Sequence, residues 1–275
     1  MAPEAPLEQR GAGPKPSGWS RAYAEWFDDA SMVENYRFRP EYPAALFTFL
    51  ASLAGPGGTV LDAGCGPGDI ARPLAPLVGR VDAVDLSPRM IQEGRRRAGG
   101  AASNLVWLAG AIEDVELHDS YDLVVAGDSV HWFDWSVALP RLATALAPDG
   151  RLAIVSRNWF TAPELGRRLS PIYARFGANR DFRPLDAVAE LERRGLFVRE
   201  GDHTTAPAGW RPTLDEVLGC HHSQNGFDVE RMQPDEVAAF DAEVGAALRE
   251  LVPEGADGRF ELDVTATVVW GRPIA

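Results

Sequence analysis

Between residues 59 and 156 the chain alternates two kinds of segment, and this rhythm constrains its fold more than any other feature. TVLDA (59–63), VDAVD (81–85), LVWLA (105–109), DLVVA (122–126) and RLAIVS (151–156) are short apolar or β-branched runs of strand length. Helix-like segments separate them at 70–78, 88–99 and 136–147. Ser87-Pro88 sets a cap before a proline at the first helical position, and Pro148-Asp149-Gly150 predicts a turn. Pro73 and Pro76 predict a short or kinked first helix. Such alternation is the signature of βαβ units and an α/β fold with a parallel sheet covered on both faces.

The flanking segments read differently. Residues 1–17 are rich in Pro, Gly and Ala without periodicity, which predicts a disordered tail. Residues 18–53 read as an N-terminal helical lid, unusually aromatic, with Trp19, Tyr23, Trp26, Phe27, Tyr36 and Tyr42. Within it SMVE (31–34) has capping-box spacing. The core spans 54–275, with helical cap insertions expected at about 159–184 and 207–257. Helices are expected at 162–176 and 185–195, the latter leading into a strand near 196–200. TLDE (213–216) is a second capping box. In 234–251, Val237, Phe240, Val244, Leu248 and Leu251 share one helical face. ELDVTATVVW (261–270) predicts a closing strand.

Composition narrows the partners. A net charge of −13 over 275 residues repels a nucleic-acid backbone, and Arg95-Arg96-Arg97 reads as a solvated helix face. No apolar run approaches the ~20 residues of a membrane span, and the first residues lack a signal core, so a cytoplasmic protein is expected. Two cysteines, Cys65 and Cys220, make no disulfide framework. Cys220-His221-His222 suggests a metal cluster, but adjacent residues converge poorly on one ion and no CxxC or HExxH accompanies them, so no metal is expected. Self-association into a homo-oligomer stays open.

VLDAGCGPGD (60–69) then bears on function. A glycine-rich turn after the first strand lies at the carboxyl ends of the strands, where ligands bind. GxGxG alone is a weak signal, and two acids sharpen it. Asp69 stands where a dinucleotide fingerprint has its third glycine, and it can cap the amides that would hold a pyrophosphate. Asp85 ends the second strand, where an acid accepts hydrogen bonds from ribose hydroxyls. A ribose without a pyrophosphate, near acids at 62, 69 and 85, points to a nucleoside that carries positive charge.

On these residues the chain resembles the class I S-adenosylmethionine-dependent methyltransferases, small-molecule subgroup. VLDAGCGPGD resembles their motif I and VDAVDLSPRM their motif II. LVWLAGAIEDV is similar to their adenine-side segment, YDLVVAGDSVHWFDW to their strand-four motif, and ALAPDGRLAIVS to their turn into strand five. ENYRFRPEYP is similar to a lead-in of such enzymes. The resemblance implies a Rossmann-like, seven-stranded, mostly parallel sheet with an antiparallel last strand. It implies that Gly64, Gly66 and Gly68 shape the turn around the methionine part. Asp62 would support the loop or the amino group, Asp85 would take the ribose, and Leu86 and Met90 would line the adenine. Backbone near Ala126 and Gly127 would receive the methionine ammonium, Asp128 would also bind the cofactor, and Tyr36 and Arg39 are candidates for its carboxylate. The family often has Asp where this chain has Ala111. Ile112 can still pack on the ring, with Glu113, Asp114, backbone or water at the adenine amino group.

An acceptor site is less legible. His131 follows the fourth strand and is a candidate general base, with a structural histidine as the alternative. Trp26, Trp132, His221, His222 and Gln224 are candidates to contact the acceptor. The resemblance does not specify the substrate; the aromatic and polar residues of the cap, such as Ser223, Gln224 and Asn225, suit a partly apolar, secondary-metabolite-like small molecule, with O-methylation expected first and C- or N-methylation next. Two other readings compete: a nicotinamide-dependent oxidoreductase, and a non-catalytic partner protein that binds S-adenosylmethionine.

Overall fold

The computed structural model describes residues 15–118, 120–159 and 162–274. Eight strands form one sheet: β1 (Thr59–Ala63), β2 (Arg80–Asp85), β3 (Leu105–Ala109), β4 (Tyr121–Gly127), β5 (Leu146–Asn158), β6 (Phe197–Thr204), β7 (Ala208–Trp210) and β8 (Leu262–Pro273). Their order is β3-β2-β1-β4-β5-β8-β6, with β7 beside the start of β8. The first five run parallel, and β8 is antiparallel to β5, β6 and β7. This is the Rossmann-like, mostly parallel arrangement expected. The eighth strand, β7, is three residues at the start of the second cap insertion.

Among the described residues ten α-helices accompany the sheet: α1 (Arg21–Ala24), α2 (Ala30–Asn35), α3 (Ala44–Ala54), α4 (Ala71–Leu74), α5 (Pro88–Arg96), α6 (Trp135–Ala145), α7 (Pro163–Phe176), α8 (Ala187–Arg193), α9 (Leu214–His222) and α10 (Pro234–Leu251). Successive strand side chains point to opposite faces, so Val60 and Leu61 are both fully buried in different cores. Leu46 and Leu50 of α3, Leu74 of α4 and Ile91 of α5 cover one face. Leu139 and Leu142 of α6 and Leu191 of α8 cover the other. Both faces being buried is what makes the strands near-continuous apolar runs.

A third core belongs to the cap, where Leu165 and Leu169 of α7 meet Phe240, Val244 and Leu248 of α10. Burying a side chain such as Phe240 contributes about 1.5–3 kcal/mol. The box at Thr213 forms: Glu216 N donates to its Oγ1 at 3.3 Å, and Thr213 N donates to Glu216 Oε2 at 2.8 Å.

Several local expectations are corrected. SMVE caps nothing: α2 starts one residue earlier behind Asp29, and Ser31 Oγ donates to the buried Asp228 carboxylate instead. Residues 18–53 are helical as expected, in short turns and helices up to Phe38 and then, after Pro40 and Pro43, the apolar helix α3. Pro148-Asp149-Gly150 sits within β5, where the ladder jumps from Tyr121–Leu146 to Leu123–Arg151. Of the expected tail, residues 1–14 lie outside the described residues. Lys15 is held in place, donating to Phe133 O at 2.6 Å and lying 5.3 Å from the Trp135 ring centroid. Arg97 leaves the solvated face expected for it and pairs with Asp69 at 3.6 Å.

Candidate active site

The carboxyl ends of β1, β2 and β4 surround an open cavity of about 750 Å³, the space at its mouth included. Its floor is the glycine turn. Gly64, Gly66 and Gly68 have φ of 71°, 54° and 77°, a region that penalises any Cβ. Space demands glycine as well: a Cβ on Gly64 would lie 2.5 Å from Ser129 Cβ, and one on Gly68 would lie 2.5 Å from the Trp107 ring. The turn is pinned to β2, since Gly64 N and Cys65 N both donate to Val84 O.

Asp85 closes the turn. Its Oδ2 accepts from Gly66 N at 2.7 Å and its Oδ1 from Ser87 N at 2.8 Å. Burial raises its pKa from 3.8 to about 6 against these two amide bonds. Asp62 is buried behind the turn and accepts from Ala71 N at 3.0 Å; burial raises it to about 7. It, and not Asp69, satisfies an amide at the start of α4, where no side-chain cap forms. Asp69 instead pairs with Arg72 at 3.1 Å, Arg157 at 3.3 Å and Arg97 at 3.6 Å. Its charge is therefore neutralised, and it caps none of the amides that would hold a pyrophosphate, contrary to the expectation.

Leu86 and Met90 line one wall of the cavity, and Ala111, Ile112 and Glu113 continue it. Gly127 and Asp128 form the far end, with Asp128 at φ 49°. Tyr36 and Arg39 reach in from the N-terminal segment, joined by an Arg39 Nη1 to Tyr36 Oη bond of 2.9 Å. Asp62 and Gly68 are behind the wall, not on it. Glu113 lines the cavity while accepting from Asp134 N at 2.7 Å, whereas Asp114 turns outward to pair with Arg21 at 3.4 Å. The sequence reading missed Phe27 as a lining residue, and Arg21 and Ser129 entirely. Only the aromatic density of 18–53 hinted at Phe27.

A second open cavity, of about 1680 Å³ with the space at its mouth included, abuts the first. Phe27, Arg39, Asp128 and Trp132 line both, so they mark the junction. Asp128 is held there by Tyr42 Oη at 3.2 Å and Arg157 N at 3.3 Å, and burial raises its pKa. His131 and Gln224 line the second cavity. The His131 ring lies between Trp19 (centroids 5.1 Å) and Trp132 (4.7 Å). Burial, with Lys15 and Arg39 nearby, lowers its pKa to about 3. It is therefore neutral and a poor proton acceptor near pH 7.

Three acceptor-side expectations are corrected. Trp26 lines neither cavity: it packs on Tyr23 (4.7 Å) and under the Arg231 guanidinium (4.3 Å). His221 is fully buried, with Nδ1 bonded to Val217 O at 2.8 Å and Nε2 to Tyr173 Oη at 2.7 Å. His222 bonds Phe227 O at 2.7 Å and Asp241 Oδ1 at 2.9 Å. Both imidazoles serve the cap's interior, because adjacent positions in α9 lock their rings to backbone carbonyls. Among the described residues no group of three His, Cys, Asp or Glu is placed to hold a metal ion. Nor is any helix among them long and apolar enough to cross a membrane.

Comparison with known proteins agrees with this architecture. A methyltransferase-domain family profile matches residues 60–150. The trans-aconitate 2-methyltransferase of Methylobacterium nodulans is 31% identical over 261 residues, which cover 86% of this chain and 93% of that one. A malonyl-[acyl-carrier protein] O-methyltransferase of Salmonella typhimurium is 30% identical, covering 72% and 75%. Among solved structures, one from Anaeromyxobacter dehalogenans, provisionally assigned as a type II methyltransferase, aligns with a TM-score of 0.61 at 25% identity. It covers 85% of this chain and 97% of that one.

Proposed function

The chain belongs to the class I S-adenosylmethionine-dependent methyltransferases, and from that premise we propose that it methylates an oxygen of a small-molecule acceptor seated in the second cavity. The observation that carries this reading is the junction of two cavities at Phe27, Arg39, Asp128 and Trp132. A displacement at carbon needs donor and acceptor in line across one short gap, and holding them so supplies much of the rate.

The first cavity fits the cofactor. Its lining acids, Asp85, Glu113 and Asp128, suit a ligand with positive charge, and the glycine turn lets a ligand approach the backbone. When bound, S-adenosylmethionine supplies a sulfonium-activated methyl group. In this reading Asp85 accepts from the ribose hydroxyls, and Leu86, Met90 and Ile112 pack on the adenine. Ala111 offers only backbone there, so Glu113 is nearest in character to the missing acid. Asp128 and the Gly127 backbone receive the ammonium, while Tyr36 and Arg39 hold the carboxylate. Asp62 and Gly68 support the turn from behind. The turns at 17–38 roof the junction and exclude water.

The neutral, weakly basic His131 favours an acceptor oxygen that is already ionised and needs no proton removed. Of the two relatives' names, malonyl-[acyl-carrier protein] O-methyltransferase supports an oxygen acceptor and trans-aconitate 2-methyltransferase a small-molecule one. Neither supports a secondary metabolite, so the acceptor is taken as a small organic molecule of central or peripheral metabolism alike. The test is incubation with methyl-deuterated cofactor and either trans-aconitate or a cell extract, followed by mass spectrometry. A labelled methyl ester or ether is expected. Tight cofactor binding with no labelled product from any extract would overturn the reading.

A further inference from the structure

The two cavities carry opposite charge. Asp85, Glu113 and Asp128 face Arg21 and Arg39 in the first. The second has four arginines, Arg39, Arg157, Arg180 and Arg183, against the single acid Asp128. For a chain of net charge −13 this is a marked local excess of cations.

Two of these arginines, Arg180 and Arg183, spend their donors on backbone carbonyls alone among the described residues. Arg39, Arg180 and Arg183 form no ion pair among the described residues. Arg39 is tied to Tyr36 and Ser223. Arg180 donates to Arg175 O at 2.8 Å, and Arg183 donates to the carbonyls of Arg180 and Phe182. Arg157 lies deeper, with its side chain only 2% exposed. Its one carboxylate partner, Asp69, is shared with Arg72 and Arg97. Its Nε is buried without a hydrogen-bond partner, and so is Nε2 of Gln224 in the same cavity. Both residues line that cavity, as does Asn179, whose Oδ1 is also buried without a partner, so an oxygen-bearing ligand there would have two unpaired donors to satisfy.

We propose that the acceptor is a small organic acid whose carboxylate is gripped by Arg157 Nε and Gln224 Nε2 after passing Arg180 and Arg183 at the exposed rim. This rests on the reading of the second cavity as the acceptor's. The planar pair of carboxylate oxygens matches a guanidinium edge. The rim arginines attract the anion and the buried donors hold it. Trp159 and Phe227 offer apolar walls to its carbon skeleton.

The experiment is calorimetry on the full chain saturated with S-adenosylhomocysteine, whose own titration comes first. The probes are benzoate, succinate and propane-1,2,3-tricarboxylate, then the uncharged triamide of the last, then glycerol 3-phosphate. At least one acid is expected to bind and the triamide to bind at least tenfold more weakly. The Arg180→Gln/Arg183→Gln double variant should weaken the acid at least fivefold, and Gln224→Leu likewise, with S-adenosylhomocysteine affinity within twofold. No binding of any acid, equal binding of the triamide, or undiminished binding by both variants overturns the proposal. Tighter binding of glycerol 3-phosphate with the same dependence on the arginines overturns the carboxylate assignment in favour of phosphate esters. Failure of S-adenosylhomocysteine to bind while the acids do counts against the proposed function and leaves the anion site standing.

Discussion

Asp85→Asn should make the ligand-free protein more stable while removing its cofactor. Asp85 is held at a pKa of about 6 against an ordinary 3.8. At 1.36 kcal/mol per unit, keeping it ionised in the fold costs about 3 kcal/mol, and its partial exposure to the cavity trims this to about 1–3 kcal/mol. The sign follows from linkage: a carboxyl whose folded pKa is raised contributes stability that is fully present below 3.8 and lost as pH rises through about 6. Asn is neutral at every pH and still offers one oxygen to Gly66 N or Ser87 N. Urea unfolding of both proteins at pH 4.5 and 7.5 should show the variant gaining about 1–3 kcal/mol at the higher pH and little at the lower. Calorimetry at pH 7.5 should show S-adenosylhomocysteine affinity falling at least tenfold. A variant less stable than the parent at pH 7.5, or a difference that ignores pH, would refute the reasoning.

Three further outcomes are expected. Gly66→Ala forces a Cβ to 3.2 Å from Tyr36 Oη at φ 54°, so cofactor affinity should drop at least tenfold by calorimetry and stability by about 1–2 kcal/mol. His131→Ala should leave the pH profile of kcat unchanged between pH 6 and 9, since a group with a pKa of about 3 does not titrate there; loss of a limb in that profile would reinstate it as a base. His222→Ala strands Asp241 and Phe227 O, so unfolding should show a loss of about 1–3 kcal/mol with cofactor affinity kept. Burial lowers the His222 pKa but its acceptors outweigh that and raise it, so the loss should be fullest below pH 6.5 and fade as pH rises through the raised value.

What the sequence made legible was mostly what short-range rules govern. The parallel strands, the glycine turn with its positive φ angles and the Thr213 box all depend on residues within a few positions of one another. The roles that stayed hidden depend on distant partners. Asp69 reads as a helix cap until Arg157 arrives from 88 residues away. Ser31 reads as a cap until Asp228 arrives from 197 away. His221 and His222 read as site residues because histidine is chemically versatile, and nothing local reveals Tyr173 and Asp241 on other helices. The second cavity draws its lining from β5, α7, the loop after it and the turn after α9, so no contiguous motif could announce it.

The placement of β8 between β5 and β6 has a consequence for biogenesis. Thr204 of β6 meets Thr267 of β8 across 63 residues of chain, and Asn158 of β5 meets Thr265 across 107. The ribosome therefore releases β6 well before β8, the strand that joins it to the sheet. Until β8 emerges, β5 presents an unpaired edge, and such edges invite association with other chains. At about 5–20 residues per second the exposure lasts several seconds, long enough for a chaperone to matter. Yield of the folded enzyme in a cell-free system should then depend on chaperone supply more than its equilibrium stability suggests.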